Sequence, residues 1–259
     1  MLKEITYEII ATIIVALLGV LNVYLLNLLI FKKRRQKKIY LRNKSLVKYK
    51  VAVTAFEMPN NRPRTGYGEL IALANINRSI GLSFSKKEIS ELVDKVYLST
   101  ANSFHSKEYF NDLIIIGGAT HNKVTKKFKD ESDNLLRIVA NDEYNDITRN
   151  EDFYFLDKIR NHKYKSAITT SPEYKITNDF GLITKIYNPF NKEKTIIIVD
   201  GLHTFGLVAA SQFFLPENIH KFYNKVNKLE DDYFQILIET RVIDLQVDIK
   251  SIDYFPLSI

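Results

Sequence analysis

The chain opens on an apolar run. Ile5 to Phe31 carries one charge, Glu8, and Ile9 to Phe31 carries none. As a helix rising 1.5 Å per residue, such a run crosses a hydrocarbon core of roughly 30 Å. "KKRRQKK" follows at once, and Lys and Arg on that flank place what comes after on the cytoplasmic side. The pattern predicts a single transmembrane anchor over residues 1–31 in the inner (plasma) membrane, a basic juxtamembrane segment over 32–45, and a cytoplasmic domain over 46–259. Thr12, Ala16, Gly19, Val23 and Asn27 share one narrow stripe of that helix, close to Glu8. Small and polar residues on one stripe favour helix association in lipid, so a homo-oligomer is expected.

Beyond the basic run the periodicity changes. "LVKYKVAVTAF" (Leu46 to Phe56), "DLIIIGG" (Asp112 to Gly118) and "KTIIIVD" (Lys194 to Asp200) read as buried strands. "GELIALANINRSIG" reads as a helix stopping at Gly81. "SKKEISELVDKVYLS" reads as another, with Ser85 and Glu88 spaced as a capping box. "THNKVTKKF" opens a third helix, and a fourth follows Asp200 through Phe214. "YKSAITTS" and "FGLITKIYN" predict a hairpin with a long turn, and "YFQILIETRVI" with "VDIKSIDYF" predict a second. The charged middle, Asp130 to Asn161, reads as loops with one short helix near Phe153 to Arg160. Apolar strands alternating with helices indicate an α/β fold: a Rossmann-like mixed, mainly parallel sheet with helices on both faces.

Charge changes this picture little. The chain carries a formal +7, but ten Lys or Arg and no acid fall between Lys32 and Lys50. Residues 1–31 hold one Lys and two Glu, which leaves −2 for everything after Lys50. A slightly acidic body offers no broad footprint for a nucleic-acid polymer, and none is expected as partner. There is no cysteine, and the five histidines show no pair at helical metal-binding spacing, so neither thiol chemistry nor a zinc site is expected.

Candidate chemistry gathers where strands run into helices. "RPRTGYGEL", "GGATHN" and "DGLHTFG" follow the three buried strands, and parallel strands would bring all three turns to one carboxyl edge. Glycine allows close backbone approach, and free amides at helix starts attract phosphates or carboxylates. The candidate ligand-binding residues are Arg64, Thr65, Gly66 and Gly68 in the first turn. Gly117, Gly118, Thr120 and Asn122 stand in the second, and Asp200, Gly201, His203 and Thr204 in the third. Ile71 stands where a dinucleotide fingerprint needs its third glycine, so that motif is not met. No nucleophile elbow is present. Asp179 and Asn188 read as turn residues, and Glu69 as a partner of its helix dipole.

"IIIGGATHN" and "IIIVDGLHTFG", behind an N-terminal membrane helix, resemble the nucleotide-sensing Rossmann-like domains of prokaryotic antiviral signalling, the SLOG and CARF groups. That resemblance implies a nucleotide-type messenger bound near Gly117, Gly118, Asn122, Gly201 and His203, with the membrane helix as effector. The resulting expectation is a membrane-anchored sensor that signals through association of its transmembrane helices, which would either permeabilise the membrane or build a signalling platform. Two alternatives stand beside it. One is a membrane-tethered hydrolase of nucleotides or nucleosides using Asp200, His203 and Glu69 as acid–base groups; the other is a scaffold whose glycine turns are structural.

Overall fold

The computed structural model describes residues 21, 36–42, 45–54, 56–57, 63–98, 104–119, 122–141, 153–169, 175–222, 224–226 and 233–257. Its centre is an eight-stranded mixed sheet. Four strands are mutually parallel: β1 (Tyr49–Val53), β2 (Val93–Leu98), β3 (Leu113–Ile116) and, later in the chain, Asn191–Gly201. Between β3 and that last strand come β4 (Ile138–Ala140), β5 (Tyr154–Asp157), β6 (His162–Lys165), β7 (Ala167–Thr169) and β8 (Lys175–Asn188), which makes Asn191–Gly201 β9. The antiparallel half is completed by β10 (Phe234–Ile243) and β11 (Gln246–Pro256). The order is β11-β10-β8-β9-β3-β1-β2, with β7 paired to β8, and β4 to β6 form a separate three-stranded sheet.

Alternation along the parallel strands sets the layers. Val51, Val53, Ile114, Ile116, Ile197 and Val199 face one side, with α1 (Tyr67–Ser83), the later helix Thr204–Phe213 and the helical residues 36–40. Ala52, Leu113, Ile115, Ile196 and Ile198 face the other, under Val124 and Phe128 of the helix Lys123–Ser132. With α2 at Lys86–Leu92, Lys123–Ser132 is α3 and Thr204–Phe213 is α4. The small sheet covers the antiparallel half through Ile138 and Phe155 packed on Leu182, Leu237 and Phe255.

α4 lies unusually close to the sheet. A Cβ on Gly206 would overlap the Phe180 carbonyl, and one on Gly181 would overlap the Gly206 carbonyl, so backbone rests directly on backbone. This accounts for the small residues of "FGLVAAS", whose Gly206, Ala209 and Ala210 are all buried.

The membrane expectation is corrected. Among the described residues no helix is long and apolar enough to cross a membrane. The longest of the described helices, α1, has 17 residues and carries Glu69 and Arg78. The anchor expected over 1–31 lies outside the described residues, Leu21 apart. The single-pass membrane location, the lipid-bilayer partner, signalling by transmembrane association and the tethered hydrolase all rested on that anchor and are withdrawn with it. The expected Rossmann-like sheet with an appended transmembrane helix is thus reduced to an α/β domain with a mixed sheet. The homo-oligomer expected from the same helix has no support in the described residues.

Two local expectations also change. The helix expected over Ser85 to Ser99 stops at Leu92, where Val93, Val96, Tyr97 and Leu98 pair with β1 instead. Branched and aromatic residues favour that extended edge. The short helix expected near Phe153 to Arg160 is β5 and a turn. Phe155 points into the core on a two-residue period, and Asp157 accepts hydrogen bonds from the amides of Ile159 and Arg160.

The capping box at the start of α2 is present: Glu88 N donates to Ser85 Oγ at 3.3 Å, and Ser85 N donates to Glu88 Oε2 at 2.7 Å. Lys37 Nζ also donates to the Glu88 carboxylate, at 2.8 and 3.0 Å. Lys37, and then the Ser85 amide, hold the Glu88 carboxyl down to about 2 from an ordinary 4.5. A depressed carboxyl pKa contributes stability that is present above 4.5 and lost as pH falls through 2. Helix α2 should therefore lose hydrogen-exchange protection between those values, and Glu88→Gln should abolish that pH dependence.

Candidate functional site

Register brings the three expected turns together. Val53 and Val199 both pair with Ile116, so β1 and β3 finish level, two residues short of the end of β9, and Thr54, Gly117 and Asp200 come out side by side. The chain turns from β1 through α1 to β2 on one side, whereas β3 lies on the other. The β1–β3 boundary is therefore a topological switch point, where open α/β sheets place their ligands.

Gly117 has φ +110°, and a Cβ there would overlap the Thr54 hydroxyl. A Cβ on Gly118 would sit 2.6 Å from Asp200 Oδ1, and one on Gly68 would sit 3.0 Å from Thr204 Cγ2. Glu69 Cγ approaches to 3.7 Å of the Gly117 position. First, second and third turns thus meet at one edge.

Their amides, however, mostly point inward. Gly117 N donates to Val199 O at 2.9 Å and Leu202 N to Phe180 O at 2.9 Å. Gly201 N donates to Asp200 Oδ1 at 2.7 Å, and Gly206 N to Asp179 Oδ2 at 2.6 Å. Asn122 is buried as the N-cap of α3. Its Oδ1 accepts from Val124 N and Thr125 N at 3.0 and 3.1 Å, and its Nδ2 donates to Ile116 O at 3.2 Å. Thr65 Oγ1 donates to the Thr54 carbonyl, Gly66 is the N-cap of α1, and Thr204 is exposed at the start of α4. Thr120 and the side chain of Arg64 lie outside the described residues. The expected cradle of free backbone N–H groups is therefore largely occupied by the fold's own hydrogen bonds.

What the edge does present is charge held under cover. Lys129 Nζ, from α3, lies 2.6 Å from Asp200 Oδ2, with side chains only 9% and 3% exposed. On the α4 face of the sheet, Asp179, fully buried on β8, accepts from Ser166 Oγ at 2.7 Å as well as from Gly206 N. Burial pushes the Asp179 carboxyl up, against the pull of nearby His203. Burial pushes the His203 imidazole down, against the pull of Asp179. His203 Nε2 is buried without a hydrogen-bond partner among the described residues, and its ring meets Phe153 edge-on at 6.2 Å.

Two spaces flank the Lys129–Asp200 pair. A cavity of about 20 Å³, room for roughly one water, is lined by Gly118, Ala119, Phe153, Phe155, Asp200 and Gly201. A groove of about 490 Å³ runs between α3 and β4, where Lys126, Lys129, Asp130 and Asp133 face Val139 and Asn141. Ala140 and Asn141 border both spaces. Lys129 lines the groove and Asp200 the cavity, so their ion pair forms part of the partition. Among the described residues no group of three or more His, Asp or Glu side chains converges.

Lys129 and Asn141 are not among the residues the sequence singles out, and Asp179, expected in a turn, lies inside β8 opposite Thr240. Lys129 was the most accessible of them: it falls on the same face of α3 as Val124, Thr125, Phe128 and Ser132, all buried. A lysine on the inward face of an amphipathic helix signals a buried anionic partner. Asp179 carried no such signal, since its partners lie 13 and 27 residues away. Compared with known proteins, the chain matches no family model and no curated protein.

Proposed function

We propose that this domain binds a small polar molecule in the groove between α3 and β4, beside the carboxyl ends of β3 and β9. The observation that supports it is the buried Lys129–Asp200 pair between groove and cavity. A buried ion pair adds little net stability over a well-packed apolar pair. Its position at the ligand edge of an α/β sheet suits recognition better than packing. The groove wall mixes both charges, Lys126 and Lys129 with Asp130 and Asp133, over apolar Leu136 and Val139. That surface suits a compact ligand with anionic and donor groups on one skeleton rather than a polyanion.

Thermal melting against amino acids, hydroxy acids, polyols and sugar phosphates tests this. A ligand at about a hundred times its dissociation constant adds about 2.7 kcal/mol, which is a rise of roughly 5–10 °C for a domain of this size. The double variant Lys129→Met/Asp200→Asn should abolish the rise. A panel in which no compound shifts the melting of the wild-type chain contradicts the proposal, as does a shift that survives in the double variant.

A further inference from the structure

The two helices that frame the strand edge are tied together at their other end. α1 and α4 run side by side in the same direction, with contacts at nearly constant offset. Gly68 meets Thr204, Asn75 Nδ2 donates to Ser211 Oγ at 2.9 Å, and Ser79 Oγ donates to the Phe214 carbonyl at 2.8 Å. The first contact lies at the edge already described, and the last lies beneath residues 36–40.

That last contact is the hub of a buried polar cluster. Gln36 Nε2 lies 2.7 Å from Phe214 O, 2.8 Å from Ser79 Oγ and 3.2 Å from Ser79 O. Tyr40 OH donates to Ser79 Oγ at 3.0 Å. The Tyr40 ring packs on Phe84 and Phe214 with centroids 5.8 and 5.7 Å apart. Lys37 ties the same turn to Glu88 of α2 and lies 5.0 Å above the Phe84 ring. Gln36, Ile39, Tyr40 and Ser79 are all fully buried. Gln36 Oε1 has no hydrogen-bond partner among the described residues. A half-satisfied buried amide is a net cost unless its geometry does something apolar packing would not. Here it reads the position of both helices at once.

We propose that residues 36–40 are a clasp that sets the spacing and axial register of α1 and α4, and through them the strand edge about 16 Å away along α1. The helices transmit this because their contacts are small residues and directed hydrogen bonds, which tolerate no sliding. A shift at Ser79 and Phe214 moves the Gly68–Thr204 contact and carries Glu69 relative to Gly117. The coupling is a property of the fold and stands whether or not the groove binds a ligand.

Hydrogen exchange on the full chain, without added ligand, tests it. Gln36→Ala should speed exchange about tenfold at the far ends, Leu70 to Leu73 of α1 and Gly206 to Ala209 of α4, as sub-global opening of one cooperative unit does. Ser79→Ala, which removes the shared hydroxyl, should give the same pattern even if Gln36→Ala does not fold. Phe255→Leu, in the core of the opposite face, should leave those amides unchanged. Faster exchange confined to residues 76–83 and 212–216 would overturn the proposal. So would equal acceleration at the far ends in Phe255→Leu, because the effect would then be global loosening.

Discussion

Replacing Gly117 by alanine should destabilise the domain by about 4 kcal/mol and lower its melting temperature by roughly 10 °C. Two independent costs add. At φ +110° an L-residue pays backbone strain of roughly 1–3 kcal/mol. The new methyl would also overlap the Thr54 hydroxyl, which donates to Ile116 O at 3.0 Å and cannot retreat without breaking that bond. Overpacking of this kind costs a further 1–3 kcal/mol or so. Gly81→Ala is the control. Its Cβ would meet nothing within 4 Å, and the position is exposed on α1, so the same chemical change should stabilise by about 0.5–1 kcal/mol. Urea unfolding of both variants measures the contrast, and equal effects would show that the Gly117 turn is not the constrained point described.

Lys129→Met should destabilise by about 3–5 kcal/mol, because it strands the Asp200 carboxylate in a site that is almost closed to water. Lys129→Met/Asp200→Asn should recover most of that loss and stand within about 1.5 kcal/mol of the parent chain, since breaking one partner costs more than replacing both. The amide introduced by Asp200→Asn retains an Oδ1 acceptor for Gly201 N, which donates there at 2.7 Å in the parent chain. The double variant is therefore a folded protein without the buried charges, which makes it the right background for ligand measurements. An additive double variant would mean that Lys129 and Asp200 do not interact in solution.

Much of this architecture was legible in the sequence, for identifiable reasons. "LIII" at 113–116 and "TIIIV" at 195–199 leave no solvent face, so they had to be central strands, and parallel pairing then forced their exits to one edge. The Ser85–Glu88 box is a local hydrogen-bond pattern and formed as read. The helical period from Ser85 runs on through Val93 to Leu98, and only pairing with the partner strand β1 makes that segment extended. The turns were placed together correctly, but the reading of their chemistry ran ahead of the geometry. Nothing local to "GGATHN" reveals that Asn122 spends its side chain on Val124, Thr125 and Ile116, or that Gly117 N is taken by Val199. Lys129–Asp200 and Asp179–Gly206 span 71 and 27 residues, beyond the reach of any local pattern. The apolar run at the start shows the same limit from the other side. Composition suggested a membrane helix, yet the basic stretch expected to lie outside the body supplies Gln36, Ile39 and Tyr40 to its core.

The proposed ligand groove beside Lys129 and Asp200 can be located in solution. Amide chemical-shift mapping during a titration with the first compound that raises the melting temperature tests it most directly. The largest shifts should fall at Ala119, Lys129, Ala140, Asn141 and Gly201, and be lost in Lys129→Met/Asp200→Asn. Shifts centred on another face, or unchanged in the double variant, would contradict it.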